Sequence, residues 1–355
     1  MAVSLTKARR RRGKAVTIHE VARRAGVSPM TVSRVTNGED NVRESTRDAV
    51  MRAVRELNYS PNPAARSLAG AHGTRIALIY TNPSAAYLSE LLVGALDMAS
   101  GSTLQLVLEK WDDLKPAAER AAVREVARSV AGVVLPPPLC ESTTISSELA
   151  AAGVPVVAIA TGRFRADVSC VRIDDFRAAS DMTAHLIGLG HTRIGFIKGH
   201  PNQTASLQRL AGFQTKMEES GIAPNPTYIE QGYFTYRSGL DAAEQLLDRK
   251  RPPTAIFASN DDMAAAVISV AHRRGLDVPR DLSVVGFDDT PTATTVWPEL
   301  TTIRQPIAEM AQAALKLLLR KIRQKRSGNQ AEPIDHLFGH ELVKRNSDAP
   351  PPATQ

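Results

Sequence analysis

One short run of residues carries the first recognisable chemistry in the chain. In Pro29–Asn37 the apolar Val32 and Val35 fall on one helical face, and Pro29, Met30, Thr31, Ser33 and Arg34 fall on the other. A guanidinium, two hydroxyls and two apolar groups presented together make a surface suited to reading DNA, because phosphates and base edges are met by those group types.

The flanking residues read as the elements that hold this surface. Thr17 and Glu20 form an S/T-x-x-E pair ahead of Val21, Ala22 and Ala25, which predicts a helix start. Gly26 ends that helix, Ser28 suits an N-cap and Pro29 the first helical position. Two short helices around a Gly-containing turn make a helix-turn-helix. A third helix, with Val50, Ala53, Val54 and Leu57 on one face, completes a small core within residues 17–61. Next, Asn62 and Pro63 open a helix-compatible stretch, Ala64 to Ala69, closed by Gly70. It is shorter than the roughly 12–15 residues a lone helix needs in water, so residues 62–74 are expected to fold only against a partner. Leu68 in such a helix is placed to wedge between base steps in a minor groove.

The words TIHEVARRAGVSPMTVSRVTN, ELNYSPNPAARSLAG, LGHTRIGFIKG, RLAGF, ASNDDMA, SVVGFDDTP and PELTTIRQP run in order from Thr17 to about Arg345. They resemble the lactose-repressor (LacI/GalR) family of bacterial transcription regulators. The resemblance implies that Pro29–Thr36 enters the major groove of a double-stranded DNA operator. Arg34 would read a base, since its fork pairs with guanine O6 and N7, or would contact phosphate without specificity. Pro29 and Met30 would meet a thymine methyl or shape the fit. Thr17, Ser28, Thr31, Ser33 and Asn37 suit phosphate contacts, and for Thr17 and Ser28 capping alone is an equal reading. Arg66 and Leu68 would contact DNA from paired hinge helices of a homodimer. Arg43 departs from the family pattern, standing where a small cap is usual; a phosphate contact, or Ser45 capping a turn later, would offset the loss.

Composition is consistent with this organisation. Residues 1–75 hold 15 Lys/Arg against 6 Asp/Glu, a net of +9 in a chain whose total is +7. The basic excess is thus confined to the helix-turn-helix segment, as a phosphate-binding module requires. Residues 1–16 read as a disordered basic arm, either a phosphate-contacting or a solubilising segment. Two cysteines, Cys140 and Cys170, offer neither a disulfide framework nor a metal cluster. No metal, cofactor or membrane partner is expected, and a cytoplasmic location follows from the lack of an apolar signal region.

From Arg75 onward short β-branched runs alternate with helical segments, which predicts α/β architecture with parallel sheets covered on both faces. About 270 residues exceed one comfortable sheet, so two lobes are expected within residues 75–346. The family fold implied is a type I periplasmic-binding-protein clamshell, with crossings between lobes near residues 175, 303 and 332. Residues 347–355 read as a disordered polar tail, and the missing leucine heptads there favour a dimer over a tetramer.

The cleft of such a clamshell would take its polar groups from loops at strand ends. Asn260 and Asp261 follow one apolar run, and Asp288 and Asp289 another. With the resemblance, Arg209 in RLAGF matches the effector-holding position and Phe234 a stacking position; Trp297 is a candidate second face. Carboxylates, an amide and a guanidinium suit a carbohydrate, whose hydroxyls both donate and accept. The function implied is an allosteric repressor released by a small sugar or oligosaccharide. A regulator using a non-sugar co-ligand or protein partner, and a sugar-binding receptor, are the alternatives. No G-x-x-x-x-G-K-S/T loop or G-x-G-x-x-G turn supports an enzyme.

Overall fold

The computed structural model describes residues 16–36, 42–57, 59, 74–81, 84–111, 116–328 and 332–352, and the chain divides into two units at Gly73 and Thr74. In the first, helices α1 (Ile18–Ala25), α2 (Pro29–Thr36) and α3 (Glu44–Glu56) close over Val21, Ala22, Val32, Val35, Val50 and Ala53. The Glu20 carboxylate accepts the Thr17 backbone N–H at 2.7 Å and its hydroxyl at 2.9 Å, fixing the start of α1. Gly26 ends it in the left-handed region at φ 67, and the Ser28 hydroxyl accepts the Thr31 N–H at 3.1 Å to start α2. Helix α3 begins behind Arg43, which makes no side-chain cap, and Ser45 lies inside the helix. Glu44 in its first turn supplies the charge that the helix dipole favours there.

The second unit holds two six-stranded sheets. The first lobe contains β1 (Arg75–Tyr80), α4 (Ala85–Ala99), β2 (Gln105–Lys110), α5 (Pro116–Ser129), β3 (Gly132–Leu135), α6 (Thr143–Ala151), β4 (Val156–Ile159) and β5 (Ser169–Ile173). The second lobe contains α7 (Asp175–Gly188), β6 (Ile194–Lys198), α8 (Thr204–Glu219), β7 (Ile229–Gln231), α9 (Tyr236–Leu247), β8 (Ala255–Ala258), α10 (Asp261–Arg273), β9 (Ser283–Asp288), α11 (Thr292–Thr295) and β10 (Thr301–Arg304). Then α12 (Ile307–Arg326) and β11 (Asp335–Phe338) return to the first lobe, and β12 (Glu341–Val343) to the second. Strand orders are β11-β5-β4-β3-β1-β2 and β12-β10-β9-β8-β6-β7. All pairs are parallel except β10–β12. Parallel strands covered on both faces must be apolar throughout, and β3, β8 and β9 are buried along their whole length. Gly94 lets α4 meet α12 closely, since a Cβ there would lie 2.2 Å from the Ala308 carbonyl oxygen.

The chain crosses between lobes after Ile173, after Arg304, and between Phe338 and Glu341. The third crossing corrects the expectation near residue 332. That position lies within the first lobe, because α12 and β11 both pack there.

The expected disordered tail is also corrected. Ser347 is fully buried: its hydroxyl donates to the Val284 carbonyl at 2.6 Å and accepts the Thr301 N–H at 2.8 Å. Asp348 pairs with His185 at 2.6 Å, and the Ala349 carbonyl lies 2.8 Å from His191 Nε2. Backbone and side-chain hydrogen bonds hold this segment, a feature to which hydropathy is blind. Ending the chain at Asn346 would strand several buried groups, each worth about 1–3 kcal/mol. The expected result is a fall of roughly 5–15 °C in the melting temperature of the second unit, read by calorimetry.

Candidate DNA-reading helix and effector cleft

On the first unit, Met30 stands 65% exposed beside exposed Arg34, while Val32 and Val35 are buried beneath. Pro29, Thr31 and Ser33 are half-buried, and Thr17 and Ser28 are exposed at the two caps. The candidate surface is therefore assembled on one side of α2. Asn37, Arg66 and Leu68 lie outside the described residues.

On the second unit, Arg209, Phe234, Asn260 and Asp288 line one cavity between the lobes. Arg209, on α8, is 5% exposed, so its permanent charge has to be matched locally. Its Nε donates to Asp175 Oδ1 at 2.8 Å and its Nη1 to the Ser259 carbonyl at 2.6 Å; Nη1 also lies 3.6 Å from Asp288 Oδ1. The guanidinium carbon sits 3.6 Å over the Phe287 ring and 5.8 Å from that of Phe234. With Nε and Nη1 committed, Nη2 is the edge left for a ligand.

Burial raises the Asp288 carboxyl to about 7, against the lowering effect of Arg209 and of the Gln305 amide that donates to it at 2.6 Å. Burial likewise raises Asp175 above its ordinary value, again opposed by Arg209.

Asn260 caps α10, accepting the Met263 N–H at 3.0 Å, while its amide donates to the Phe234 carbonyl at 3.1 Å. It thereby pins the turn that presents the Phe234 ring. Phe234 itself sits at φ 59, and Gly199 is required beneath it, where a Cβ would fall 1.9 Å from the ring. Among the described residues, the non-glycine positions with positive φ are Ala160, Phe234, Asp288 and Asp289. Three of these four line the cavity, each costing on the order of 1–3 kcal/mol of backbone strain.

Two candidates are corrected. Asp261 does not line the cavity: its Oδ1 accepts the Thr302 hydroxyl at 2.6 Å and its Oδ2 the Thr290 N–H at 2.8 Å. Gly286 makes room for it, since a Cβ there would lie 2.4 Å from Oδ1. As the first residue of α10 it points into its own lobe and braces the loop after β9. Trp297 stands 76% exposed beside His272 and Gly275, at the C-terminal end of α10. The cavity meets that helix at its N-terminal end, about 20 Å away at 1.5 Å per residue.

Sequence reasoning missed Tyr87, Gln203 and Gln305 in the lining and the role of Asp175 as the partner of Arg209. Tyr87 Oη and Gln305 Oε1 are buried with no protein hydrogen-bond partner. The Asp-Asp pair at 174–175 was the available signal: Asp174 caps α7 at 3.0 Å from the Arg177 N–H, leaving Asp175 to meet Arg209. Among the described residues no His, Cys, Asp and Glu cluster fits a metal, and Cys140 and Cys170 are buried thiols.

The cleft is shut. Its inner chamber measures about 30 Å³, room for about two waters. Contacts across it include Ser84 donating to Asp262 at 2.7 Å, Thr204 N–H donating to Glu141 at 3.2 Å, and Gly162 N–H donating to the Thr204 hydroxyl at 2.9 Å.

Two family models match the chain: bacterial regulatory proteins of the lacI family over residues 17–62, and the periplasmic binding protein-like domain over residues 183–347. Catabolite control protein A of Priestia megaterium is 36% identical over 304 residues, covering 85% of this chain and 91% of that protein. The chain belongs to the LacI family. Similar solved structures include the transcriptional regulator CelR in complex with cellobiose, at TM-score 0.70 and 32% identity, covering 94% of this chain and 99% of that one. Another is the lac repressor dimer bound to operator and the anti-inducer ONPF, at TM-score 0.71 and 29% identity over 95% and 100% of the two chains. As a LacI-family member this chain is a DNA-binding transcriptional regulator and not an enzyme. No helix among its described residues is long and apolar enough to cross a membrane.

The raised Asp288 carboxyl has a consequence for stability. Between its unfolded value near 4 and its folded value of about 7, the folded protein holds more protons than the unfolded chain. Stability therefore falls as pH rises through that window. Urea titrations of the second unit across it should show this slope, and the Asp288→Asn variant should show a shallower one, the remainder coming from carboxyls such as Asp175 that burial also raises.

Proposed function

We propose that this regulator is a homodimeric, cytoplasmic repressor released from a palindromic operator by a small sugar bound between the lobes. The observation that carries the ligand class is the pair of buried, unpartnered polar atoms, Tyr87 Oη and Gln305 Oε1, beside Arg209, Asp288 and the Phe234 ring. A hydroxyl both donates and accepts, so a polyol satisfies the carboxylate, the amide oxygen, the phenol and the guanidinium at once. One sugar face then lies against the aromatic ring. The cellobiose in the similar CelR structure accords with this reading.

On the DNA side, Arg34 pairs with a base while Pro29 and Met30 shape the fit. Thr17, Ser28, Thr31, Ser33 and Asn37 hold phosphates, and Arg66 and Leu68 act from the hinge in the minor groove. The sugar changes the angle between the lobes, and the hinge segments lose the partner on which their helices depend. The ligand shifts operator affinity only by its differential affinity for the two states, typically about 1–3 kcal/mol.

The experiment is operator selection from genomic DNA at about 0.15 M salt, followed by release with sugars. Enrichment of a palindrome and its loss on adding one sugar support the reading; a sugar that tightens binding would reverse its sense. Tyr87→Phe removes the hydroxyl without a cavity, so stability should hold while the sugar concentration for half-release rises about tenfold. Arg34→Ala should cost roughly 1–3 kcal/mol at one base pair, read by fluorescence anisotropy on operators varied there.

A further inference from the structure

A second, larger chamber of about 570 Å³ adjoins the inner one and is likewise walled by both lobes. Trp111 and Glu119 border it from the first lobe; His200, Asn202, Gln203 and Tyr233 border it from the second. Gln203 lines both chambers and so forms their shared wall. The turn at 233–235 divides its side chains between them. Phe234 faces the inner chamber, while Tyr233 and Thr235 face the outer one.

Tyr233 is 46% exposed and lies edge-on to His200, with ring centroids 5.7 Å apart. An exposed tyrosine braced edge-on by a half-buried histidine, with Trp111 in the same lining, gives the chamber an aromatic platform bordered by polar groups. The carboxylate of Glu119 and the amides of Asn202 and Gln203 lie at its edges.

We infer that the outer chamber is a subsite for the second and later rings of an oligosaccharide whose terminal ring occupies the inner chamber. This rests on the sugar reading of the inner chamber. The apolar face of a sugar ring stacks on Tyr233, which His200 braces edge-on, and its equatorial hydroxyls meet Glu119 and the two amides. The volume already lies in the roughly 300–1,000 Å³ range of small-molecule pockets, whereas the inner chamber admits a ring only when the lobes part. The regulator is therefore selective for chain length, and Tyr233 is a specificity-determining residue.

The test is calorimetric titration of the full-length protein with mono- to tetrasaccharide ladders of β-1,4-glucose, α-1,4-glucose, β-1,4-xylose and β-1,4-mannose. In the ladder that binds, affinity should rise at least about tenfold from one unit to three, in line with an aromatic stacking contact. Tyr233→Ala, at an exposed position that should leave folding intact, should remove that gain while changing monosaccharide affinity less than about twofold. Length-independent affinity, or equal weakening of all members by Tyr233→Ala, would overturn the outer subsite and leave the sugar reading standing. Binding by no member of any ladder would overturn both.

Discussion

The second unit is built around a buried positive charge that cannot be discharged. The guanidinium of Arg209, at 5% exposure, survives only if its donors are matched. The match comes from Asp175 at the start of α7, the Ser259 carbonyl after β8, and Asp288 at the end of β9. Asp175 follows the first crossing between lobes directly, so the crossing and the buried guanidinium beside the cavity share a hydrogen bond. Losing one partner of such a group typically costs about 3–5 kcal/mol, more than most single contacts contribute. The alignment of α7, α8 and the strand ends is thus enforced by charge as much as by the apolar packing of Phe196, Phe213 and Phe257 around them.

Legibility in the sequence followed the physics of each signal. The helix-turn-helix was readable because caps and left-handed glycine are local: Thr17, Gly26 and Ser28 act within four residues of themselves. Strands such as β8 and β9 were readable because burial on both faces leaves uninterrupted apolar runs. β5 and β11 were not, since Arg172 and Asp335 interrupt them. Those two residues pair across the sheet edge at 2.7 Å, a contact between positions 163 residues apart. The packed tail failed for the same reason: Ser347 and Asp348 are polar, and their partners Val284, Thr301 and His185 are remote in sequence.

In the cleft, the residues with long-range partners were the ones misjudged. Residue type identified Arg209, Phe234 and Asp288, but type alone cannot say whether a carboxylate is already satisfied. Asp261 and Asp288 both end apolar runs, yet both oxygens of Asp261 are held by Thr290 and Thr302. Trp297 has the right chemistry at the wrong end of α10. Conversely, Gln305 and Tyr87 look like ordinary helix-flanking and helix residues until the fold closes over them and leaves an atom of each unpartnered.

The strain pattern says which part of this unit is rigid. Ala160, Phe234 and Asp288 hold left-handed backbone where glycine would be unstrained, and all three border the inner chamber. Such conformations persist only where surrounding contacts over-determine them, as Asn260 and Gly199 do for Phe234. The walls of the site are therefore preformed within each lobe. The contacts that must exchange when a ligand enters lie instead between lobes, at Ser84–Asp262 and at Thr204 with Glu141 and Gly162. These are a few hydrogen bonds with a net worth of about 0.5–1.5 kcal/mol each, or about 1.5–3 where a carboxylate accepts. Together the three are worth roughly 3.5–7.5 kcal/mol, above the typical coupling of about 1–3 kcal/mol between two sites, so contacts to the ligand must replace most of them as the lobes part.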